Sequence, residues 1–83
     1  MSLTVVFRET AIRSLSRVRR EDKELFARTR RAIALLADQP YPPDAVPWGA
    51  TGVYRLHADR IRILFEVDDE TETVHILNVG FLD

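Results

Sequence analysis

The chain has 83 residues, enough for one domain around one hydrophobic core and too few for a catalytic domain with a separate regulatory one. Hydrophobic residues make up 46% and charged residues 30%, which excludes a disordered chain, and no apolar run approaches the ~18 residues of a membrane-spanning helix. The net charge of -1 conceals a division: the 12 Lys and Arg all lie from Arg8 to Arg62 among seven acids, a balance of +5, whereas residues 63–83 hold six acids and no base.

Leu3–Phe7, a run of Leu, Thr, Val, Val and Phe, suits a first strand through its β-branched and aromatic content. A helix is expected over about Glu9–Arg19, where Ile12, Leu15 and Val18 or Arg19 fall at helical spacing. A second is expected over about Glu21–Ala37, with Leu25, Ala32, Ile33 and Leu36 as its apolar stripe. Asp22 is placed to cap the second helix, and Pro40, Pro42 and Pro43 stop it. The loop Pro40–Gly52 holds four prolines, two glycines and Trp48, which is the residue expected to anchor it.

Beyond the loop the period changes to two. Val53–Ala58, Arg60–Val67 and Thr73–Val79 alternate as strands, separated by Ala58-Asp59 and by the acidic turn Asp68-Asp69-Glu70. The order β-α-α-β-β-β implies an α+β fold, an antiparallel sheet with a helical hairpin packed on one face, in a single domain spanning residues 1–83.

Alternation assigns the faces. Tyr54, Leu56, Ile61, Ile63, Phe65, Val67, Val74 and Ile76 point to the helices. Arg55, His57, Arg60, Arg62, Leu64, Glu66 and His75 point to the open face. Arg55, Arg62 and His57 together form an anion-binding set, because Arg presents paired planar donors to phosphate and His exchanges a proton near neutral pH. The bland alternative pairs Arg55 and Arg62 with Glu66 or Asp59 across exposed strands. Arg28-Thr29-Arg30-Arg31 on the second helix reads either as a nucleic-acid patch or, with Glu24, as a solvated face laced by ion pairs.

No Gly-rich phosphate loop, nucleophile elbow or zinc pattern occurs, and the absence of cysteine excludes disulfides and thiolate metal sites. The N-terminus shows no secretory signal, so the cytoplasm is the expected location, with no membrane partner.

Three segments in order, Gly52-Val53-Tyr54-Arg55-Leu56, then Arg60-Ile61-Arg62-Ile63-Leu64-Phe65-Glu66-Val67-Asp68-Asp69-Glu70, then Val74-His75-Ile76-Leu77-Asn78-Val79-Gly80, resemble the RelE/ParE toxin pattern when they follow a helical hairpin. The resemblance covers nearly the whole chain. It implies the toxin of a type II toxin–antitoxin system, held in a hetero-oligomer by a cognate antitoxin. For the RelE-like branch it further implies a ribosome-dependent mRNA endoribonuclease (mRNA interferase) that inhibits translation and needs neither metal nor cofactor.

Carried over position by position, two family lysines fall at Arg55 and His57 and a family arginine at Arg62. These are the expected catalytic residues, with Arg28, Arg31 and Arg60 as expected RNA or antitoxin contacts. The chain departs from the ribonucleases at Leu82, which stands about where they carry a further catalytic arginine. Two other functions share the pattern: a ParE-like inhibitor of DNA gyrase, and an inactive member that binds only antitoxin.

Overall fold

In a computed structural model, which describes residues 2–82, the elements are β1 (Thr4–Phe7), α1 (Glu9–Glu21), α2 (Lys23–Leu36), β2 (Val46–Pro47), β3 (Val53–Ala58), β4 (Ile61–Asp68) and β5 (Thr73–Phe81). The fold is the expected α+β arrangement of a helical hairpin on one sheet. The helices divide at Asp22, whose extended backbone ends α1 and whose carboxylate accepts from the Leu25 N–H at 3.0 Å to cap α2. Glu9 in the first turn of α1 and Arg19 and Arg20 in its last complement the helix dipole.

The apolar stripes differ in detail from those expected. In α1 the buried residues are Ala11, Leu15 and Val18, while Ile12 is 53% exposed. In α2 they are Leu25, Thr29, Ile33 and Leu36. Thr29 tolerates burial because its hydroxyl donates to the Leu25 carbonyl at 2.8 Å. These side chains share one core with Leu56, Ile61, Ile63, Phe65, Val67, Val74, Ile76 and Val79 of the sheet.

The strand order is β1-β5-β4-β3-β2. The meander β3-β4-β5 is antiparallel as expected. The sheet differs from the expectation in two places: β1 joins β5 in parallel, and a fifth strand, β2, pairs antiparallel with the outer side of β3. The hairpin α1-α2 makes the parallel pairing possible, since its two antiparallel helices return the chain so that a later strand can run beside β1 in the same sense. β1 covers only Thr73–Ile76 of β5. Alongside the rest of that strand runs α1, which begins where β1 ends: the Arg8 N–H donates to the Ile76 carbonyl at 2.9 Å, and the Arg17 guanidinium lies 5.9 Å from the Phe81 ring centroid.

The loop before β3 is held otherwise than expected. Trp48 is 47% exposed and does not anchor it. The ties are Tyr41, whose ring meets Tyr54 edge-on and whose hydroxyl donates to Asp69 at 2.7 Å, and the β2–β3 pairing. Donation to the Asp69 carboxylate pushes the Tyr41 phenol up to about 12. The Tyr54 ring in turn packs on Phe65, so the loop is joined to the core through aromatic contacts.

Candidate nucleic-acid interface on the open sheet face

The β3–β4 register sets Tyr54 opposite Phe65, Leu56 opposite Ile63 and Ala58 opposite Ile61, all on the core side. On the other side Arg55 lies opposite Leu64 and His57 opposite Arg62. Because directly opposed residues share a face, Arg55, His57 and Arg62 all lie on the open face, as the alternation predicts.

The Arg55 guanidinium stacks on the exposed Trp48 ring, 4.0 Å from its centroid. The Arg62 guanidinium lies against Gly80 of β5: a Cβ at that position would stand 3.0 Å from Nη2. Trp48, Arg55, Arg62, Leu64, Asn78 and Gly80 enclose a cleft of about 200 Å³. Among the described residues neither Arg55 nor Arg62 forms an ion pair. The alternative in which Asp59 neutralises one of them does not hold, because Asp59 binds Arg28 at 2.8 Å. Two guanidinium groups that line one cleft, without acidic partners among the described residues, leave their donor forks available to an anion.

His57 is exposed and stands outside this cleft, in a neighbouring hollow of about 220 Å³ with Asp44, Val46 and Arg55. His75, half-buried at the other end of the face, lies opposite Glu66. Acidic Glu66 and Asp68 therefore mark one end of the face and Arg55 and Arg62 the other. Backbone donation from Thr71 holds the Asp68 carboxyl below its ordinary value, so that end stays anionic.

The remaining basic residues are placed differently. Arg60 was expected on the open face, but it occupies the β3–β4 turn and reaches the helix layer, where it binds Asp22 at 2.9 Å. Arg28 binds both Glu24 and Asp59. Arg28 and Arg60 thus fasten the start of α2 to the β3–β4 turn, whereas Arg31 is exposed and without an ion pair among the described residues. None of these three joins the open-face cleft.

Trp48, Asn78 and Gly80 are cleft residues that sequence periodicity did not place there. In β5 the register passes from Phe65–Ile76 to Leu64–Asn78, so Leu77 is an extra residue, a β-bulge. Without the bulge, alternation from Val74 and Ile76 would send Asn78 and Gly80 to the core. With it, Val79 and Phe81 turn inward opposite Ile63 and Ile61, and Asn78 and Gly80 turn to the cleft.

The model for the family described as ParE toxin of type II toxin–antitoxin systems matches residues 5–80. No curated protein matches the chain. Among solved structures, the chain is similar to one in the RelBE2 toxin–antitoxin complex of Mycobacterium tuberculosis, with 27% identity, a TM-score of 0.79, and 98% of this chain and 99% of that one covered. It is also similar in fold to the isolated E. coli RelE toxin, at 15% identity and a TM-score of 0.85 over 99% and 86% of the two chains. A chain of the chromosomal ParDE system of P. aeruginosa is likewise similar, at 12% identity and a TM-score of 0.80 over 99% and 98%. With the family pattern running through every strand that builds the open-face cleft, this chain belongs to the RelE/ParE toxins of type II toxin–antitoxin systems.

Proposed function

We propose that this toxin blocks translation by cutting mRNA on the ribosome, with the open-face cleft as its phosphate site, and that a cognate antitoxin neutralises it. The observation that carries this reading is the convergence of Arg55 and Arg62, free of acidic partners among the described residues, on one cleft beside an exposed tryptophan. Protein-directed inhibition requires no such anion site, whereas an RNA phosphodiester fits one.

In the reaction the ribose 2′-oxygen attacks the adjacent phosphorus and the bond to the 5′-oxygen breaks, leaving a 2′,3′-cyclic phosphate and a 5′-hydroxyl. Arg62 and Arg55 stabilise the charge that builds on the non-bridging oxygens. His57, opposite Arg62 on the same face, takes the 2′-hydroxyl proton, a role arginine cannot fill at neutral pH. Water protonates the leaving oxygen, since none of the described residues that line the cleft is a proton donor of suitable acidity.

A second reading, inhibition of DNA gyrase, is favoured by the ParE family match. Expression without antitoxin, with mRNA ends mapped and gyrase supercoiling assayed in parallel, separates the two. New mRNA 5′ ends with unchanged supercoiling support the ribonuclease; lost supercoiling with intact mRNA overturns it.

A further inference from the structure

The pairing of β1 with β5 stops at Ile76, so beyond the Leu77 bulge β5 has a strand on one side only, that of β4. The Leu82 N–H donates to the Arg60 carbonyl on that side, and the alternation of an antiparallel ladder then turns the Val79 N–H the other way, toward α1. No strand meets it there. Its acceptor is the Oδ1 of Asn78, at 2.9 Å, which takes the place of the missing strand.

The same Oδ1 lies 3.0 Å from the Ser14 hydroxyl oxygen of α1, which is also 3.0 Å from the Thr10 carbonyl one turn back. Ser14 has one proton for the two. The Thr10 carbonyl has the Ser14 N–H as its partner in the helix ladder, whereas the serine and asparagine oxygens repel each other at that distance unless the proton lies between them. The hydroxyl therefore donates to Asn78. Among the described residues this is the one hydrogen bond between α1 and β5, and it is partly buried.

The residue so fastened is the first after the bulge, the point where the β4–β5 ladder is interrupted. Two positions on is Gly80, against whose backbone the Arg62 guanidinium lies. We propose that Ser14 is a positioning residue for Arg62: by donating to Asn78 across the α1–β5 seam it holds β5 in the path it takes after the bulge, and so fixes the surface that aims the guanidinium into the cleft. The inference rests on the mRNA-cutting reading and deepens it by adding to its machinery a helix residue that does not itself line the cleft. Arg62 acts on charge that develops during the reaction, so a loosened guanidinium slows the chemical step and leaves binding to the ribosome as it was.

The test rests on two variants of nearly the same shape: Ser14→Thr keeps the hydroxyl, and Ser14→Val replaces it with a methyl group. Ser14→Ala removes the hydroxyl without adding bulk and should behave as Ser14→Val does. Each is measured for thermal midpoint, for hydrogen exchange of the Val79 amide, and for single-turnover cleavage over a range of programmed-ribosome concentrations. Ser14→Val should slow cleavage at saturation about two- to tenfold, the rate equivalent of one net hydrogen bond. The half-saturating ribosome concentration should stay within about twofold of wild type, as for an interaction felt only in the transition state. Exchange at Val79 should quicken, and Ser14→Thr should match wild type in rate and exchange. In an Arg62→Ala background Ser14→Val should cost nothing further, because a residue that acts only through Arg62 has nothing left to place.

Equal cleavage by Ser14→Thr, Ser14→Val and Ser14→Ala, with Arg62→Ala slow, would overturn the positioning role and leave the phosphate reading intact. A full further loss from Ser14→Val in the Arg62→Ala background would mean that Ser14 supports the sheet in general, and would overturn it too. If Arg62→Ala cuts as fast as wild type, or wild type cuts nothing, the mRNA-cutting reading itself fails and the positioning role falls with it.

Discussion

Arg62 and Gly80 face each other across the β4–β5 ladder, and the guanidinium lies where a side chain at position 80 would begin. The backbone of Gly80 lies outside the left-handed region, so the glycine is required for space and not for conformation. Gly80→Ala should therefore fold normally, because the obstructed group is the far end of a flexible side chain. It should slow ribosomal mRNA cleavage by less than the roughly hundredfold that a ~1 Å misplacement costs, because the guanidinium has to give by only a few tenths of an ångström. Thermal midpoint and programmed-ribosome cleavage, measured on the same preparation, check both halves. Unchanged cleavage would mean that the observed position of Arg62 is not the working one.

Removing the guanidinium is the stronger form of that experiment. Arg62→Ala should cost on the order of a hundredfold or more in cleavage rate, as loss of a preorganised charged donor does. His57→Ala should cost less, since His57 is exposed to water that can accept the proton in its place. The ranking of the two variants in single-turnover cleavage decides the assignment of roles. A larger loss at His57 than at Arg62 would reverse it.

Leu82 follows Gly80 by two residues, and its N–H donates to the Arg60 carbonyl at 2.8 Å, continuing the β5 path. Alternation then turns position 82 to the same face as Arg62. Leu82→Arg should place a third guanidinium at this end of the face and raise the cleavage rate above wild type. A rate equal to or below wild type in the same assay would show that the added charge does not reach the scissile phosphate.

Acid stability offers an independent check on the helix junction. Donation from the Leu25 N–H, reinforced by the charges of Arg60 and Arg28, holds the Asp22 carboxyl below its ordinary value of 3.8. A carboxyl depressed in the folded state contributes stability that is fully present above its unfolded value and is lost as pH falls through the folded one. Thermal midpoints measured from about pH 6 down to about pH 2 should therefore drop below about pH 4. Asp22→Asn keeps the acceptor for Leu25 but removes the charge, and it should flatten that drop. If the profile of the Asp22→Asn variant instead runs parallel to wild type, the acid sensitivity lies elsewhere.

The core and the cation face were legible for one reason: the strict period of two in Ile61, Ile63, Phe65 and Val67 fixes the orientation of β4, and β3 follows by pairing. Asp22 was legible as a cap because cap chemistry is local. The parts that escaped depend on contacts remote in sequence. The Leu77 bulge inverts the parity of β5 and cannot be seen in a run of apolar residues. Arg60 leaves the open face for Asp22, 38 positions away in the chain. Trp48 suggested an anchor because large aromatics are usually buried, yet Tyr41 holds the loop and the indole is left for the cleft.

The place of β5 in the sheet also bears on the cell that makes this protein. β5 follows every other element in the chain, yet it lies between β1 and β4 and supplies Asn78 and Gly80 to the cleft. A nascent chain halted before β5 leaves the ribosome with β1 unpaired, the core open along one side of β4, and Arg62 without the neighbour it rests against. Cleft and fold are completed by the same step, so a working site cannot form on the nascent chain before β5 has been made.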